Sequence, residues 1–179
     1  MAKKTGSSGA GEFTAEVEGL AYALIGAAAE RDLGAVYGAV PAAMLAELAR
    51  SLGPEVEFSP PPSYQAFMAA FGSLRVLDAA GEVAGFCVYT PREAEARTRA
   101  LRVGPEVRLA ADDHLVAFAD AGGGGQWCFD TRAPGPEYPV CCHRPEAPRP
   151  ARERDGHEYA DFAAWLRGEV GEFVARGAA

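Results

Sequence analysis

Residues 114–132, HLVAFADAGGGGQWCFDTR, constrain what this chain can fold into more than any other stretch. Leu115 to Ala119 is an apolar run too short for a helix, and it reads as a buried strand. Asp120 to Gly125 has the Asp and Gly composition of a turn. Gln126 to Asp130 reads as a second strand carrying an indole, Trp127. An antiparallel hairpin therefore stands at the centre of the chain, and its neighbours have to supply layers that cover it.

The flanking periodicities supply helices on both sides. Phe13, Val17, Leu20, Ala21, Leu24, Ile25 and Ala28 recur at helical spacing, with Thr14 as an N-cap and Glu16 and Glu18 in the first turn. A second helix runs from Pro41 through Leu45, Leu48 and Leu52, and Gly53-Pro54 stops it. In a third, Ser63 to Phe71, the residues Tyr64, Phe67, Met68 and Phe71 form one stripe, and Gly72 closes the helix. The period then changes to two: Leu74–Leu77 and Val83–Tyr89 flank an Asp78–Gly81 turn. Pro91 to Leu101 returns to a charged, helical composition with few apolar anchors, which predicts a solvated surface helix. Beyond the central hairpin, a strand is expected around Tyr138–His143, a loop at Pro145–Pro150, and a last helix from about Glu158 to Ala175.

This order predicts one α+β domain over 13–176, an antiparallel sheet flanked by N-terminal and C-terminal helices. A helical element occupies 13–53, and residues 1–12 form a flexible tail. The expected core includes Leu24, Tyr64, Phe67, Phe71, Phe118, Phe129, Phe162, Trp165 and Leu166.

Charge and cysteine usage narrow the function. A formal net charge of −8 argues against nucleic-acid binding, which needs clustered Lys and Arg, and makes a basic partner the natural complement. No apolar run approaches the roughly 20 residues of a membrane span, and no secretory pattern opens the chain, so a cytoplasmic location is expected. Cys87, Cys128, Cys141 and Cys142 lack the framework spacing of a secreted scaffold and read as reduced, buried thiols.

The candidate chemistries are weak. Gly122–Gly125 leads into a strand, whereas a phosphate loop delivers its glycines to a helix N-terminus, so no nucleotide is expected. Cys128, Cys141, Cys142 and His143 have zinc-ligand chemistry without zinc-ligand spacing: adjacent strand residues point to opposite faces, and only one of Cys141 and Cys142 can join Cys128. No metal is expected. The three histidines, His114, His143 and His157, sit beside charged or loop residues. Asp112 and Asp113 could orient His114, yet a solvated loop explains the trio as well. No enzyme and no cofactor are expected. Trp127 has two readings, a core residue or a rim-exposed anchor for a partner.

The run Leu115–Gly124 followed by Trp127–Thr131 resembles the central hairpin of the SUKH superfamily, the fold shared by a fungal cell-wall-assembly regulator and many bacterial toxin-immunity proteins. Pro62-Ser63-Tyr64-Gln65-Ala66-Phe67-Met68 resembles the family's Pro-x-x-Tyr-x-x-Phe-Leu helix, although its usual Asn-Gly-Gly is here Phe71-Gly72-Ser73. Tyr159–Leu166 resembles its closing helix. The resemblance implies an immunity protein that binds a cognate toxin, for example a basic nuclease domain, and blocks it without turnover. The alternatives are a scaffold or regulatory interaction module, and a ligand-binding protein using the hairpin cleft. The family's hairpins and adjoining loops form a face that no core stripe claims, and here that face is expected to carry Asp112, Asp113, Asp120, Asp130 and Glu137 around Trp127 as the partner-binding residues.

Overall fold

The computed structural model describes residues 9–53, 56–103, 113–144 and 157–177. Among them are five helices and two small antiparallel sheets. Helix α1 (Gly9–Ala29) leads into strand β1 (Gly34–Val36), and α2 (Ala42–Ser51) and α3 (Pro62–Ala70) follow. Strands β2 (Arg75–Leu77) and β3 (Val83–Cys87) precede α4 (Pro91–Val103). Then come β4 (Leu115–Gly122), β5 (Gly125–Asp130), β6 (Val140–His143) and α5 (Phe162–Gly177). The expected α+β architecture is present, with α1 and α5 packed on each other. The expected loop at Pro145–Pro150 lies outside the described residues.

The sheets run in the orders β1-β2-β3 and β4-β5-β6, all neighbours antiparallel. A bridge between Val88 and Ala119, and a hydrogen bond from the Tyr89 N–H to the Phe118 carbonyl at 2.8 Å, join the two. Aromatic side chains fill the space between β4-β5-β6 and α3 and α5. Phe118 stacks on Phe129 with ring centroids 4.2 Å apart, and Tyr64, Phe162 and Trp165 meet this pair edge-on or tilted. All nine residues of the expected core are buried.

Several boundaries differ from the sequence reading for local reasons. Helix α1 begins at Gly9, so Thr14 lies inside it and is no N-cap, and the expected tail already contains helix. Strand β1 was not foreseen: three residues give no measurable alternation, and they are strand because β2 pairs with them, Ala35 opposite Val76. Gly72 ends α3 at φ +57°, where a Cβ would stand 1.7 Å from the Gly38 carbonyl oxygen, so both the turn and the close approach require glycine. The turn of the central hairpin is shorter than expected. Gly122 pairs with Gly125, and only Gly123 and Gly124, both at positive φ, make the two-residue connection.

Helix α4 corrects a further expectation. It is not simply solvated, because Ala94 and Thr98 are fully buried and Leu101 packs on Leu115, Ala117, Cys128 and Cys141. The hydroxyl of Thr98 accepts a hydrogen bond from the Ala117 N–H at 3.0 Å. Strand β4 is thus covered on both faces, by α4 behind and the aromatic core in front, which explains why Leu115–Ala119 is apolar throughout. Helix α4 is started by a capping box: the Thr90 hydroxyl accepts from the Glu93 N–H at 3.3 Å, while the Glu93 carboxylate accepts from the Thr90 N–H at 2.9 Å.

Candidate functional site

The central hairpin brings together some of the residues expected at a partner face and withdraws others. Trp127 alternates on β5 with Cys128, and its ring points into the core, 7% exposed, edge-on to Tyr159 and Trp165 at centroid distances of 5.6 and 6.4 Å. The rim-anchor reading of its position is corrected. The reason is that Tyr159, just before α5, closes over the indole, which a hairpin viewed in isolation leaves open. Pairing across β5 and β6 places Cys128 opposite Cys141 and Trp127 opposite Cys142. Cys141 joins the cluster under α4 and Cys142 the aromatic core, the opposite facing that strand geometry requires. All four cysteines are buried, and none is joined to another in a disulfide.

Asp130 is likewise not a rim acid. It ends β5 at 3% exposure and is gripped from three directions. The Arg132 guanidinium donates through Nε to Oδ1 at 3.0 Å and through Nη2 to Oδ2 at 2.6 Å, and the Arg132 N–H adds a third bond at 3.1 Å. His157 Nε2 stands 3.0 Å from Oδ2 and His114 Nε2 3.6 Å from Oδ1. Burial pushes the carboxyl's pKa up, but the hydrogen bonds from Arg132 and His157 and the nearby His114 outweigh it and hold the group well below the usual carboxylate range. His114 is therefore faced by Asp130, across the hairpin, and its carbonyl accepts from the Thr131 N–H and hydroxyl. The cluster fastens the start of β4, the end of β5 and the entry to α5 at one point.

Glu137 is half-buried and occupied at a helix end. Its carboxylate accepts from the Ser63 N–H at 2.9 Å and from the Ser63 hydroxyl at 2.6 Å, at the first turn of α3. Pro61 and Pro62 open that helix without a side-chain cap of their own, so an acid from the β5–β6 loop supplies one. Asp120 keeps one oxygen on the Gly122 N–H at 2.7 Å and is partly exposed, and Asp113 is exposed. Asp112 lies outside the described residues. Of the six expected partner residues, then, Asp113 and Asp120 present carboxylates to solvent beside the hairpin, while Trp127, Asp130 and Glu137 are engaged in holding the fold.

Among the described residues no group of three or more His, Cys, Asp or Glu side chains is placed to hold a metal ion. The glycines of the hairpin form a strand-to-strand turn, without the helix N-terminus that a phosphate site uses. Compared with known families, the chain matches the family described as SMI1/KNR4 (SUKH-1) over residues 47–168, more than half its length. The chain belongs to the SMI1/KNR4 family (SUKH-1). No curated protein matches it. The family includes toxin-immunity proteins, and its members are generally non-catalytic immunity or regulatory proteins.

The SUKH-1 match begins inside α2, so α1 and β1 precede the matched residues; α1 packs against α3 and α5, and β1 pairs with β2. Within the match, the motif helix is α3, the hairpin is β4-β5, and the closing helix is α5, capped by Asp161, whose carboxylate accepts from the Ala164 N–H at 2.8 Å. Sequence reasoning missed the role of Glu137 as a cap in trans, for which no local signal exists. It also missed the Thr90–Glu93 capping box, which the spacing Thr-Pro-Arg-Glu did offer.

Proposed function

We propose that this SUKH-1 protein is an immunity protein that binds a cognate toxin domain and neutralises it by covering its active site or substrate path. Membership of a family that includes toxin-immunity proteins is the observation that carries this reading. The net charge of −8 agrees with it, since an acidic surface with Asp113 and Asp120 at the hairpin would steer a cationic toxin, for example a nuclease with a basic substrate cleft, toward contact. Binding without turnover is the mechanism, and no metal or nucleotide takes part. The second reading, a regulatory interaction module, is favoured by the regulatory members of the same family.

Co-expression with the product of the neighbouring gene tests the first reading directly. Rescue of growth, together with a stable one-to-one complex of the two purified proteins, is the expected result. A neighbouring product that is harmless, or that fails to bind at micromolar concentration, would favour the regulatory module instead.

A further inference from the structure

Strand β1 ends its sheet among the described residues, and the sequence Gly34-Ala35-Val36 contains none of the lysines or prolines with which natural proteins blunt an open strand edge. Three of the large apolar residues that the structure leaves exposed gather about this edge: Tyr22 at 61%, Val36 at 54% and Tyr37 at 50%. They fall on two sides. Tyr22 and Tyr37 both pack against the buried ring of Phe71, at centroid distances of 5.3 and 5.9 Å, on the side of Ala35 and the core. Val36 alternates to the opposite face, where Arg75 of β2 stands across from it. An edge with apolar ground on both sides is what an added strand needs, because its successive side chains point alternately to the two faces.

The charge around the edge is acidic. Asp32 precedes β1, Asp78 follows β2 and Glu82 precedes β3, all exposed and at one end of the three strands. The basic residues Arg31 and Arg75 are engaged elsewhere: Arg31 donates to the Phe173 carbonyl at 3.2 Å, with its guanidinium 4.5 Å over that ring, and Arg75, opposite Val36 on β2, is ion-paired with Glu93. We infer that an extended segment of a cationic partner protein adds to the sheet along β1, its apolar side chains seated on Tyr22 and Tyr37 on one face and beside Val36 on the other. The inference rests on the reading as an immunity protein and places the toxin's anchoring contact away from the central hairpin. Tyr22, Val36 and Tyr37 precede residue 47, where the family match begins.

The test uses the full chain and the toxin domain encoded by the neighbouring gene, with affinity measured by calorimetry and backbone protection by hydrogen exchange. Val36→Lys places a charge on an exposed strand position and leaves the core untouched, and Glu82→Lys reverses one rim acid. Each should weaken binding at least tenfold with an unchanged melting temperature, and the amides of residues 34–37 should gain protection in the wild-type complex. Wild-type binding that both variants retain, or protection confined to the hairpin, would overturn the inference while leaving the immunity reading intact. No binding by the wild-type chain would remove that reading, and this inference with it. A wild-type homodimer that Val36→Lys converts to monomer would assign the edge to a second copy and overturn it as well. Should Val36→Lys fail to fold, Tyr22→Lys, at the exposed Tyr22 on the other side of the edge, replaces it.

Discussion

At Asp130 a carboxylate almost out of contact with water holds Arg132, His157 and His114 together, and its charge is the reason the contacts persist. Its pKa in the folded protein lies well below the value of about 4 expected in the unfolded chain. The unfolded state therefore takes up the proton first as pH falls. Its contribution is complete above about pH 5 and is lost as pH drops through about 4 toward the folded value. Asp130→Asn is expected to cost about 3 kcal/mol at pH 7. The gap from wild type should narrow at pH 3, which urea unfolding of both proteins at the two pH values would show; a gap independent of pH would mean that the ion pairing contributes nothing. Trp127→Ala is expected to destabilise by about 3–5 kcal/mol, because it empties a site between Tyr159 and Trp165. A binding defect in that variant therefore has to be read beside its denaturation curve.

Among the elements, α4 shows how a polar helix earns a place in the core. Its charged face is solvated, and its small residues let it approach the back of β4 closely enough for the Thr98 hydroxyl to take the Ala117 N–H. Thr98→Val keeps the shape and removes the acceptor, leaving a buried donor unpaired; a loss of about 1–3 kcal/mol is expected in chemical denaturation. A loss below that range would mean that the strand finds another acceptor. The capping of α3 by Glu137 is the same kind of device across a longer separation in sequence, joining the β5–β6 loop to a helix that begins with two prolines.

For the whole molecule, an excess of eight negative charges should make encounter with a cationic partner fast and salt-sensitive. Stopped-flow association with the cognate toxin is expected to slow by roughly tenfold or more between about 0.02 and 0.5 M salt, with dissociation little changed. A rate indifferent to salt would mean that the acids do not steer. The helices, the central hairpin, the nine-residue core and the family were legible in the sequence, because each rests on local periodicity or on a motif written in consecutive residues: the Tyr64–Phe71 stripe, the Gly-rich turn before Trp127, the Phe162–Leu166 helix. Which face each group finally meets was not. Trp127 is covered by Tyr159, Asp130 is claimed by His157, Glu137 caps α3 and β1 exists only through β2. These pairings join residues 27 to 74 positions apart where single bonds are concerned, and they are decided by how helices and sheets stack, since no periodicity in one segment records which side chain another segment will lay against it.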